Sequence, residues 1–248
     1  MDKAVYDEMF ELERAHWWFA AKRRIVLSML ERFTPRSGGL RPRVCDIGCG
    51  CGMMLCDLAG AGYDAVGMDF NDLALEYCQS RGVSAVKGSL PNGVALGPAS
   101  ADAILLLDVL EHIDDDVAAF SAAFAAVKPG GIAICMVPAY QWLWTKRDEY
   151  HHHKRRYTLG QFRRVVAHPQ AGIDCISYVN SFLFPLALVE RLVRKVAPES
   201  TPAGHHPIPP LGINSLMTAV FAAERWPVRA GVQLPFGLSI LTVVRKRA

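Results

Sequence analysis

No apolar run in this 248-residue chain reaches the roughly 18 uninterrupted residues that a membrane span requires, although mean hydropathy is high at +0.16. Neither sign of charge dominates. Lys and Arg number 27 and Asp and Glu 24, for a net charge of +3, and the charges are mixed along the chain. That leaves no basic footprint for nucleic acid. Gly-x-Ser-x-Gly, the P-loop and His-Glu-x-x-His are all missing, which removes the common serine hydrolase, phosphoryl-transfer and zinc-protease readings. The N-terminus, Met-Asp-Lys-Ala-Val-Tyr-Asp-Glu, lacks the apolar core of a signal peptide. Cysteines number seven, with no Cys-x-x-Cys pair; buried thiols in a reducing compartment are expected, with neither disulfides nor a metal site. These absences point to a cytoplasmic protein. Its 51% apolar content is enough for one large α/β core.

What the chain does have is concentrated at Arg43-Val-Cys-Asp-Ile-Gly-Cys-Gly-Cys-Gly52. A short apolar strand enters glycines at 48, 50 and 52, and a helix-like segment follows from 53 to 59. Such a turn lets a ligand approach bare backbone near a helix N-terminus. A dinucleotide fingerprint, Gly-x-Gly-x-x-Gly, would need its third glycine at Met53, so it fails here. Asp46, just before the turn, would repel a pyrophosphate and suit a cationic amino group.

Alternation continues beyond this turn. Strands are expected at 44–47, 65–68, 84–86, 103–107, 132–137, 173–179 and 238–244. Helices are expected at 53–59, 73–81 with Gly82 as the C-terminal cap, 117–127 capped by Asp114 or Asp115, and 158–167 opened by a Thr158–Gln161 capping box. Lys128-Pro129-Gly130-Gly131 should end the helix before the fifth strand. Residues 1–34 read as helical, with Leu12, Ala15, Phe19, Lys22 and Val26 near one face and Pro35, Gly38 and Gly39 as the stop. The pattern is a doubly wound parallel α/β sheet. Asp69 follows the second strand, where a carboxylate can accept from both hydroxyls of a ribose.

Asp46-x-Gly48-x-Gly50-x-Gly52 resembles the first motif of class I S-adenosylmethionine-dependent methyltransferases. Leu107-Asp108-Val109-Leu110-Glu111-His112 and Lys128-Pro-Gly-Gly131 resemble later motifs of the small-molecule members, those of ubiquinone and menaquinone biosynthesis included. The likeness covers about residues 40–140. It implies a Rossmann-like seven-stranded sheet with the last strand antiparallel, and S-adenosylmethionine as cofactor with S-adenosylhomocysteine as product. Cofactor contacts would come from Asp46, Gly48, Cys49, Gly50, Asp69, Phe70, Ser89, Leu90, Leu107 and Asp108. Ser89 departs from the acidic residue usual near that place. The His16-Trp17-Trp18-Phe19 start, with Lys22-Arg23-Arg24, resembles a type 11/12-like bacterial group of unassigned substrate associated with envelope-glycan genes. It could form a lid in which Trp18 covers the sulfonium and Arg23 holds the methionine carboxylate; packing on the sheet is the alternative.

Candidate substrate residues follow the fifth strand. Tyr140, Trp142 and Trp144 fall at the carboxyl edge, where doubly wound folds place ligands. The segment Asp148-Glu-Tyr-His-His-His-Lys-Arg-Arg-Tyr157 supplies His153, Arg156 and Tyr157, which match the same bacterial group. An arginine fork suits phosphate or carboxylate, and His153 or His112 could take a proton from a hydroxyl. A metal site is not expected, because consecutive histidines in an extended chain point in alternating directions. A solvated basic loop is the plainer alternative. The organisation expected is a helical lid at 1–36, a cofactor-binding core at 37–180, a helical and Pro-rich insertion at 181–230 and a final core strand at 231–248. In the insertion, apolar residues from Phe182 to Val193 alternate with Glu190, Arg191, Arg194 and Lys195. A core cap, a homodimer contact or an inner-membrane-surface contact through 182–196 would each use them. The function expected is methyl transfer to a small-molecule or lipid- or glycan-linked acceptor, at oxygen. A non-catalytic cofactor-binding subunit that positions a partner enzyme is the alternative.

Overall fold

A computed structural model describes residues 3–34, 40–196 and 207–247. The expected helix stop at 35–39 and most of the Pro-rich stretch 198–210 lie outside the described residues.

A seven-stranded sheet runs in the order β3-β2-β1-β4-β5-β7-β6. Its strands are β1 (Arg43–Ile47), β2 (Asp64–Asp69), β3 (Ala85–Lys87), β4 (Ala101–Leu107), β5 (Val127–Pro138), β6 (Ala171–Val179) and β7 (Ser239–Lys246). The first five are mutually parallel, and β7 runs antiparallel between β5 and β6. Seven strands with the last one antiparallel match what the family resemblance implied. Strand order reverses between β1 and β4, which places the ligand crevice at their carboxyl ends. One boundary differs. Lys128-Pro-Gly-Gly131 does not end the preceding helix; it lies inside β5, which begins at Val127 and pairs with Ala101 across a register shift.

Both faces of the sheet are covered, which explains the continuous apolar runs. On β4, Leu105 and Leu107 enter one core layer and Ile104 and Leu106 the other, as alternating side chains must. The first layer contains α2 (Trp17–Phe33), α3 (Met53–Gly60), α9 (Leu211–Ala223) and α10 (Arg225–Arg229). The second contains α5 (Asp116–Ala125) and α7 (Leu159–Val165). Asp115 caps α5, and the Thr158–Gln161 capping box opens α7. The remaining helices are α1 (Lys3–Ala15), α4 (Asp72–Ser80), α6 (Lys146–Tyr150) and α8 (Phe184–Val196).

The N-terminal segment is two helices rather than one. The chain leaves helical geometry at His16, whose ring accepts from the Trp18 N–H and caps α2. Asn214 of α9 locks this joint, accepting from the Trp17 N–H at 2.9 Å and donating to the Ala15 carbonyl at 2.8 Å.

Candidate active site

β1 delivers the glycine turn to the sheet's carboxyl edge. The N–H groups of Gly48 and Cys49 both donate to the Met68 carbonyl, which ties the turn to β2. Gly48 has φ +77, and a Cβ there would lie 2.5 Å from Val109 Cγ2, so only glycine fits. Asp69, at the end of β2, accepts from Gly50 N–H and Asn71 N–H, both at 3.0 Å. The ribose-binding candidate is thereby fixed beside the turn, with Phe70 57% exposed next to it. Asp46 is buried, and its Oδ1 has no hydrogen-bond partner among the described residues. Burial pushes its carboxyl up to about 7 against the opposing pull of Lys22. An orphaned buried carboxylate at this point suits a cationic amino group.

Helix α1 closes over the turn. Glu13 accepts from Cys51 N–H at 3.2 Å and from Met53 N–H at 3.3 Å, at the N-terminus of α3, and pairs with Arg81. A Cβ at Gly50 would stand 3.0 Å from Glu13 Oε1. Glu13 belongs to none of the motifs, and no sequence signal marked it. Arg23 does not face the turn as expected. It is buried, with Nε 2.7 Å from Asp57 Oδ2 of α3 and Nη1 on the Glu13 carbonyl; a buried guanidinium needs such partners, and one helical step turns it away from its neighbour. That neighbour, Lys22, is the cation at the site. Its Nζ lies 2.8 Å from Asp108 Oδ2 and 4.3 Å from the Trp18 ring centroid. Trp18 therefore presents its face to a cation, but the cation is Lys22. Leu107 is nearly buried beneath this pair. Ser89 spends its hydroxyl on the Asn92 carbonyl within its own loop, and Leu90 packs into the second core layer.

Beyond Asp108 a short 3-10 turn, Leu110–His112, brings Glu111 and His112 against His153. Ligand atoms of these three side chains lie within 4.8 Å of one another, and the two imidazole centroids are 4.8 Å apart. The cluster adjoins the glycine turn through Val109, which touches Gly48. Burial, then the neighbouring His153, lowers His112 to about 4 and keeps it neutral. Burial, then Asp108, pushes Glu111 well above the usual carboxylate range. His153 Nδ1 is 2.9 Å from Asp148 Oδ1. Burial pushes Asp148 up, but hydrogen bonds from His153 and Arg156 outweigh it and hold the carboxyl well below its ordinary value.

Two expected substrate contacts belong elsewhere. Arg156 is buried and gives its fork to Asp148, with Nε 2.7 Å from Oδ1 and Nη2 3.0 Å from Oδ2, and its Nη1 to the Ala139 carbonyl. No donor pair remains for a substrate anion. Tyr157 is 3% exposed and its hydroxyl meets Asp116 Oδ2 at 2.8 Å, so it is core. The aromatics do gather at the carboxyl edge. Tyr140 stacks on Tyr178 at 4.9 Å and approaches Trp142 and Phe184, and Trp144 Nε1 donates to Glu149.

A family model described as a methyltransferase domain matches residues 15–170. The chain belongs to this family. The methyltransferase domain is 29% identical over 136 residues to a ubiquinone biosynthesis O-methyltransferase of Photorhabdus laumondii (50% of this chain, 57% of the relative) and 28% identical to that of Yersinia pestis strain Pestoides F (49% and 55%). The chain thus spans about half the length of the curated relatives it matches. In fold it resembles the Haloferax volcanii complex of the Trm112 methyltransferase activator with a putative methyltransferase (TM-score 0.61, 14% identity, 99% of this chain and 95% of that one). It also resembles Haemonchus contortus phosphoethanolamine N-methyltransferase 2 bound to S-adenosyl-L-methionine (TM-score 0.57, 19% identity, 96% and 59%). S-adenosylmethionine is the cofactor of this methyltransferase domain.

Proposed function

We propose that this protein transfers the methyl group of S-adenosylmethionine to a hydroxyl oxygen of a small or lipid-linked acceptor. The observation that carries this reading is the adjacency of two chemistries on one sheet edge. Asp46, Gly48, Gly50 and Asp69 form the cofactor end, and His112 and His153 stand beside it across Asp108 and Val109. The relatives named ubiquinone biosynthesis O-methyltransferases support oxygen as the acceptor atom.

When bound, the cofactor supplies an electrophilic methyl on a sulfonium. Asp46 would hold its cationic amino end and Asp69 its ribose. An acceptor would lie against Tyr140 and Trp144 with its hydroxyl toward His153, and the His112–His153 cluster would take the hydroxyl proton as the oxygen gains the methyl. Alignment of this kind is worth up to about 7–11 kcal/mol. Calorimetric titration with S-adenosylmethionine, S-adenosylhomocysteine and NAD, on the wild type and on Asp69→Ala, tests the cofactor. Binding of both adenosyl compounds, lost in the variant, is expected; binding of NAD alone would overturn the reading. Tritium transfer from methyl-labelled cofactor to a panel of hydroxyl acceptors tests the reaction. Cofactor binding with no transfer until a partner enzyme is added would instead identify a non-catalytic subunit.

Exposed apolar residues favour a second property. Among the described residues no helix is long and apolar enough to cross a membrane. Phe182, Leu186 and Val189 are nevertheless 52%, 60% and 57% exposed on and beside α8. This face is read as a contact with the inner membrane surface, which would present a lipid-linked acceptor. Co-sedimentation with phosphatidylglycerol vesicles is expected. Absence of co-sedimentation, with a dimer in analytical ultracentrifugation, would assign the face to a second copy.

A further inference from the structure

We propose that Glu111, His112 and His153 bind one divalent transition-metal ion, and that the ion coordinates the acceptor hydroxyl together with an adjacent oxygen of the same molecule. The proposal rests on the reading of this edge as the methyl-transfer site and changes how the cluster acts there.

The donor set comes first. Glu111 and His112, adjacent in the 3-10 turn, and His153, from the loop after α6, place one ligand atom each within 4.8 Å of the others. Ligands about 2.1 Å from one ion stand at most about 4.2 Å apart, so small side-chain rotations close the set. Mixed nitrogen and oxygen donors suit Zn2+, Mn2+ or Fe2+ better than Mg2+, which prefers oxygen alone.

Glu111 is the second, independent observation. It is 0% exposed, and among the described residues neither carboxylate oxygen has a partner beyond the residue's own backbone. A buried carboxylate without a donor costs free energy that a cation would recover. The outer ring of contacts is also built. Asp148 holds His153 Nδ1, which leaves Nε2 for the ion, and is itself held by Arg156 and by the Thr145 backbone and hydroxyl. A histidine backed by a carboxylate is the usual support of a metal ligand.

Three protein ligands leave two or three positions open, as a reactive site requires. An acceptor with oxygens on neighbouring carbons, such as a catechol or a vicinal diol, fills two of them in a five-membered chelate. The ion draws electron density from the coordinated O–H, and the proton passes to water. The oxygen lone pair then forms the new C–O bond while the methyl–sulfur pair returns to sulfur. No oxidation state changes. The histidines serve as ligands, and the ion takes over the deprotonation otherwise assigned to an imidazole.

The test is metal binding by the full chain without cofactor or acceptor. Calorimetry with Zn2+, and electron paramagnetic resonance with Mn2+, should give one equivalent per chain. Glu111→Gln and His153→Ala should each weaken binding at least about tenfold to a hundredfold, and Asp148→Asn by a similar factor. Glu76→Gln, at an exposed carboxylate on α4, should leave it unchanged. Circular dichroism and a parallel S-adenosylmethionine titration check that the variants fold. Absence of binding to the wild type, or binding untouched by both Glu111→Gln and His153→Ala, overturns the proposal. Cofactor binding without metal would sink the ion and leave methyl transfer standing; metal binding without cofactor would do the reverse.

Discussion

Lys22 Nζ of α2 lies 2.8 Å from Asp108 Oδ2 at the end of β4, with both side chains largely buried. One ion pair therefore fastens the N-terminal helices to the carboxyl edge of the sheet, between the cofactor residues and the histidine cluster. Removal of one partner strands the other in a low-dielectric setting. Lys22→Met should loosen the α1–α2 unit without disturbing the sheet. Hydrogen–deuterium exchange should show faster exchange in Lys3–Ala15 and unchanged protection in β4 and β5; equal acceleration in the strands would mean that the pair stabilises the whole domain instead.

Arg156 distinguishes a structural from a substrate-binding arginine. Its bidentate pair with Asp148 is buried on both sides, at 6% and 1% side-chain exposure. Arg156→Ala strips the buried Asp148 of its guanidinium, leaving it only His153 and Thr145, and should cost up to about 3–5 kcal/mol of stability, read as a lower denaturation midpoint. Arg156→Lys should not restore it, because an ammonium cannot fork. A raised KM with an unchanged midpoint would return Arg156 to the substrate.

The stability that Glu224 contributes should fall as pH rises from about 5 to 8. Glu224 is fully buried; its Oε1 accepts from Ser181 and Phe182 N–H while Oε2 has no partner among the described residues. Burial raises its carboxyl from 4.5 to about 7. A raised folded-state value contributes stability that is complete below the unfolded value and lost as pH rises through the folded one, here on the order of 3 kcal/mol. Asp46 acts in the same sense. Glu224→Gln should flatten urea-denaturation free energies across this range relative to wild type; parallel curves would show that Glu224 titrates normally.

Gly48→Ala should destabilise through two separable causes. The new methyl meets Val109, and φ +77 is strained for any side chain. A loss of about 1–3 kcal/mol is expected from the backbone alone. Val109→Ala in the same chain should recover the steric part only, and full recovery would show that strain contributes nothing.

The strands and helix starts were legible because each carries its own signal: Ala103–Leu107 is apolar throughout, and Asp115, Thr158 and Gln161 mark helix starts by chemistry; the antiparallel last strand followed only from the family resemblance. The break at His16 was not legible, because the apolar spacing on either side stays in phase and the joint depends on Asn214, nearly two hundred residues away. Arg156 and Tyr157 were recognisable as donors, but their partners Asp148 and Asp116 are chosen by the fold. The histidine cluster was obscured by the assumption of an extended chain. The segment instead follows α6 and folds back through His152 at φ +57, which turns His153 toward His112 and Glu111 on the 3-10 turn after β4.

The bond from Trp17 to Asn214 joins positions 197 residues apart, and this has a consequence for synthesis. A ribosome releases the glycine turn, the histidine cluster and most strands before it releases α9. Until then the corner between the first two helices has no clasp. A nascent or truncated chain ending before residue 211 would therefore carry every residue of the reactive edge and still lack a settled entrance, so maturation of the site is timed to the last part of translation.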